Sequence, residues 1–103
     1  MRPVPRLIKA IAEIQDMIEA ERAGVSPAAD VRVAAEQQGL TLANEIAANA
    51  ALDAAVRDTA ARAAAAHQER IDGIRQLAGK RAQALDQAAR DLADLARTIG
   101  SAT

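Results

Sequence analysis

No aromatic side chain and no cysteine occurs anywhere in the sequence. Every large apolar group is therefore aliphatic: eight Leu, eight Ile, five Val and two Met, set among 29 Ala in 103 residues. Aromatics supply the largest buried areas per residue, and a chain of this size has at most one small core to fill. A wide, layered core is out of reach. What remains is helix packed on helix, in which Ala is the best helix former and short aliphatics fill the contact. The expected fold class is all-α: a short N-terminal helix and one or more long, Ala-rich helical segments, arranged as a hairpin, a bundle or a coiled-coil-like assembly.

Thirteen Lys and Arg against fourteen Asp and Glu leave a net charge of −1. Such a chain has no long-range field that would concentrate a polyanion. Without cysteine there are no disulfides, thiolate metal sites or thiol nucleophiles, and the compartment is left undecided. The most apolar stretch is broken by Glu13, Asp16 and Glu19, so no run approaches the roughly 20 apolar residues of a membrane span. The N-terminal Arg2 and Arg6 are not followed by the apolar region and cleavage site of a signal peptide. A cytoplasmic location is the default expectation, with a virion or secreted assembly also compatible.

Along the chain, Leu7, Ile11, Ile14 and Ile18 repeat every three or four residues, the period of one helix face. Pro5 suits the first turn of this helix and Gly24 its end, so it is placed at about residues 5–23. Ser26 followed by Pro27 reads as the cap and first position of a second helix, about 27–38. Gly39 to Thr41 reads either as a break or as a passage into a long helix of about 42–99. That long helix would measure roughly 87 Å at about 1.5 Å per residue. Ile71, Ile74, Ala78, Arg81, Leu85, Ala88, Leu92, Leu95 and Ile99 keep alternating steps of three and four through Gly73 and Gly79. This favours continuity, with a bend or fold-back at Asp72-Gly73 as the alternative. The whole is expected to form a single helical domain.

Residues able to carry chemistry are sparse. His67 has no second His or Cys one turn away, so it reads as a solvated or ordinarily hydrogen-bonded side chain. The hydroxyls lack a base at a recognisable spacing, and the five glycines are scattered rather than gathered into a phosphate loop. Arg70, Arg75, Lys80 and Arg81 do not share one helix face, and no aromatic is present to stack on a base, which disfavours nucleic acid. Asp53–Arg57, Asp58–Arg62 and Asp86–Arg90 have the spacing of intrahelical ion pairs. Ala43, Ala47, Ala51 and Ala55 form a ridge of small residues suited to a close helix contact.

No catalytic, metal or cofactor residue is assigned, and the chain is expected not to be an enzyme. The residues assigned to helix packing or to an interface are Leu7, Ile11, Ile14, Ile18, Ile71, Ile74, Leu85, Leu92, Leu95 and Ile99. The expected function is structural: a scaffolding component, such as part of a phage particle or another multi-subunit assembly, that self-associates into a homo-oligomer through amphipathic helices. The alternative is a small adaptor or chaperone that binds one protein partner during secretion or assembly.

Overall fold

The structure, a computed structural model, describes residues 4–101, so that Arg2 lies outside the described residues. It is an all-α helical hairpin of two long helices, α1 (Val4–Ala47) and α2 (Ala54–Ser101). No helix among the described residues is long and apolar enough to cross a membrane.

The chain reverses at residues 48–53, where the sequence predicts unbroken helix, so the expected long helix of 42–99 is corrected to two. The six-residue connection is closed by side-chain and backbone bonds. Asn49 Oδ1 accepts the Ala51 N–H at 3.0 Å, and the Asn49 carbonyl accepts the Leu52 N–H at 3.1 Å. Asn competes with helix in this way because its short side chain reaches a backbone donor two residues on. The Asp53 carbonyl then accepts the Arg57 N–H at 3.0 Å, opening α2, with a carboxylate at the positive end of the helix dipole.

The expected boundary at Gly24 to Ser26 and the expected break at Gly39 to Thr41 are both absent, since α1 is helical throughout its 44 residues. Pro27 lies inside it. A proline there removes one helical bond and costs about 3 kcal/mol relative to Ala. The ring is exposed, while Val25 and Ala29 on either side of it are half-buried. Long helices draw their stability from tertiary burial rather than from propensity, and that burial outweighs the local stop. In α2, helix continues through Gly73 and Gly79 to Ser101, and no fold-back occurs at Asp72-Gly73.

Two compact units divide the chain. The first pairs the described residues up to Val25 with those from Gly79 onward, and the second comprises Ser26–Ala78. In the first, the α2 contact face alternates large and small: Leu85, Leu92 and Ile99 recur every seven residues, as do Ala82, Ala89 and Ala96, and all are buried or half-buried. Opposite them α1 offers Val4, Ile8, Ile11, Gln15, Ile18 and Arg22. Leu7 and Ile14, expected on this face, are instead 44% and 45% exposed on its flank. Gln15 and Arg22 take the contact positions because their aliphatic stems pack while their polar heads reach water. In the second unit the core is small: Ala43, Ala60 and Ala64 are buried, with Ile71 (1% exposed) and Ile74 as the large members. The expected ridge through Ala51 and Ala55 is cut by the turn, and both are exposed.

Candidate functional site

Each unit has a place that carries more than core packing.

In the second unit, Glu36 and Gly39 stand three residues apart on α1, and His67 and Arg70 three apart on α2. This is one helical turn on each helix, and the two turns face each other. Glu36 Oε1 lies 3.0 Å from His67 Nδ1 and accepts from Arg70 Nε at 2.5 Å. With its proton on Nδ1, His67 donates to the Glu36 carboxylate. Arg70 Nη2 also lies 2.9 Å from the same Nδ1, which accepts only when that proton is absent. One of the two contacts is therefore a hydrogen bond at any moment. The Arg70 and then the His67 hydrogen bonds favour the charged carboxylate and hold the Glu36 carboxyl below its ordinary value.

The His67 ring rests against the α1 backbone at Gly39. A Cβ on residue 39 would meet His67 Cε1 at 2.4 Å and Nε2 at 2.6 Å. The ring occupies the space that any other residue's side chain would need. At Gly24, Gly73, Gly79 and Gly100 an added Cβ meets nothing within 4 Å. His67 thus has a specific partner 31 residues away on the other helix. Asp72, which the sequence places near it, instead accepts from Gln68 Nε2 at 3.0 Å. The signal that could have found the site is Glu36 and Gly39 at a spacing of three, a charge and a gap on the buried face of α1.

In the first unit, Arg81 pairs with Glu21 across the two helices. Glu21 belongs to a column at seven-residue spacing with Leu7 and Ile14, and Arg81 to one with Ala88 and Leu95. Because the helices are antiparallel, the pairing of Glu21 with Arg81 places Ile14 level with Ala88, and Leu7 level with Leu95. The two columns border one face of the unit. On it Leu7, Ile14 and Leu95 (50%) are exposed, joined by Met17 at 70%. Arg22 Nε donates to Asp86 Oδ1 at 3.0 Å. Asp86 is thereby taken from its expected partner Arg90, which donates to Gln87 Oε1 at 2.7 Å. Arg62 likewise donates to Thr59 at 3.3 Å rather than to Asp58.

Of the residues assigned to packing from sequence, Ile11, Ile71, Ile74 and Leu85 are buried within the chain. Ile18, Leu92 and Ile99 are half-buried. Leu7, Ile14 and Leu95 are exposed and gathered on the face just described. Among the described residues no group of three or more His, Cys, Asp or Glu side chains is placed to hold a metal ion. No protein-family model, no curated protein and no solved structure matches the chain.

Proposed function

We propose that the chain is a non-enzymatic structural protein, a helical building block that self-associates into a larger assembly of scaffold or particle type. The observation that supports this most is the face of the first unit bearing Leu7, Ile14, Met17 and Leu95, four large aliphatic side chains left in water. Large apolar side chains set on one face in this way favour an interaction site there, and Val31, Leu42, Val56 and Leu77 are likewise exposed in the second unit. With 44 residues in α1 and 48 in α2, the two helices are close to equal in length, so no uncovered stretch of helix calls for a second copy. The exposed face does so instead.

A second copy suits this face because the face is self-complementary. Its apolar part is bordered by Glu21 and Arg81, one charge of each sign. A two-fold contact sets like surface against like surface, so each copy's carboxylate approaches the other's guanidinium. Sedimentation equilibrium with interference optics, which needs no aromatic chromophore, tests the reading. The expected result is a defined oligomer at tens of micromolar that dissociates when Leu7→Asp and Met17→Asp are combined. Both side chains are exposed, so the fold of the single chain tolerates the change. A wild-type chain that is monomeric throughout that range overturns self-association and leaves the face to a different protein, which is the adaptor reading.

A further inference from the structure

The buried members of the second unit are Ala43, Ala60, Ala64, Ile71 and Ile74. Residues of this kind select an alignment poorly, because a slip of seven residues along the helix brings the same face round and sets one small or aliphatic group against another. The turn can shift along the chain, since Ala48, Ala50 and Ala51, half of its residues, favour helix as readily as a turn. Something else must choose the alignment. We propose that Glu36, Gly39, His67 and Arg70 form a register lock, a layer that fits only one alignment of the two helices.

In the observed alignment His67 faces Gly39 and Arg70 faces Glu36. Slipping α2 by seven residues sets His67 against Arg32 or against Ile46. Either brings a side chain into the space that the ring fills, where even a Cβ would come within 2.4 Å. The same slip sets Arg70 against Ala29 or Ala43, neither of which accepts a hydrogen bond through its side chain. Both slipped alignments therefore lose the carboxylate and the ring seat together. A single polar layer in an apolar helix contact is the best-attested means of fixing register, because the polar groups are satisfied in one arrangement alone.

Two readouts test the lock. Thermal unfolding of a double-mutant cycle reads the seat. Gly39→Ala lowers the melting temperature in the wild type, where the new methyl group displaces His67. In a His67→Ala background the same change raises it by about 4 to 8 °C, because Ala is the better helix former once the ring is gone. A Gly39→Ala effect of the same sign in both backgrounds overturns the seat. Register is read by nitroxide labels on Ala28→Cys and Ala61→Cys, both exposed positions in a chain with no other cysteine. Labelled chains are diluted into unlabelled ones so that only intramolecular distances count. A seven-residue slip displaces one label by about 10 Å along the helix. The expected result is one distance in the wild type and a second, displaced population when Glu36→Ala and His67→Ala are combined. A single unchanged distance in that variant overturns the lock.

Discussion

The two units use the same secondary structure and opposite packing. The first sets aliphatic side chains of α1 against an α2 face on which Leu85, Leu92 and Ile99 alternate with alanines, bridges its helices with exposed ion pairs, and still leaves Leu7, Ile14, Met17 and Leu95 in water. The second packs mostly alanine, buries Ile71 almost completely, and places one charged carboxylate and one imidazole at its contact. Surface ion pairs contribute about 0 to 1 kcal/mol each, so Arg22–Asp86 and Glu21–Arg81 guide the first unit more than they hold it. Close small-residue packing in the second leaves little room for error. Exposed aliphatics do not separate the units, since Val31, Leu42, Val56 and Leu77 of the second are in water as well; the difference lies in the contact, where the second seats an imidazole against a glycine and pairs it with a carboxylate.

The largest expected effect is in the core of the second unit. Ile71→Ala should cost about 2 to 5 kcal/mol, the range for a fully buried aliphatic truncated to Ala. Ile14→Ala, in the first unit and 45% exposed, should cost under about 1 kcal/mol in the isolated chain. Urea denaturation of both variants checks the contrast, and similar losses would erase the distinction between the units. Bulk should act in the same sense. Ala64→Leu places three extra carbons in the buried contact of the second unit and should destabilise by about 1 to 3 kcal/mol, whereas Ala84→Leu, exposed in the first, should be close to neutral in the same assay. Gly73→Ala and Gly79→Ala, one in each unit, meet open space and should each stabilise by about 1 kcal/mol, the helix preference of Ala over Gly.

The smallest effect is the pH dependence of the Glu36 layer. The folded carboxyl titrates below its ordinary value of 4.5, so the unfolded chain takes up that proton first as pH falls. The stabilisation is therefore fully present above the ordinary carboxylate range and is lost as pH drops through the lowered value. Replacing Glu36 by Gln should flatten the acid limb of a stability–pH curve. An unchanged acid limb would show that the layer contributes no pH dependence.

Much of this was legible in the sequence, and the misses have physical causes. Steps of three and four and the Ala content identified helix throughout, and the register kept from Ile71 to Ile99 matched a helix that continues through both glycines. The reversal was hidden because Ala48, Ala50 and Ala51 all favour helix, which left Asn49 as the one residue whose side chain closes a turn. Conversely, Gly24, Ser26 and Pro27 carry strong local stop signals that burial on either side overrides. Two interleaved series run through the first helix, one through Leu7 and Ile14 and one through Ile8, Gln15 and Arg22. Reading apolar character alone selected the first, while the contact with α2 uses the second, whose polar members pack by their stems. His67 was read from its neighbours in sequence. Its partner lies 31 residues away on the other helix, beyond what neighbouring residues can show.

The reversal at residues 48–53 comes before everything else, because without it neither Glu36 and His67 nor Glu21 and Arg81 could meet. Backbone chemical shifts of the wild-type chain in solution test it without any substitution. Helical values are expected to Ala47, lost from Asn49 to Asp53, and regained from Ala54 onward. Unbroken helical shifts from Asn44 through Arg57 would contradict it, leaving one long helix in place of a hairpin.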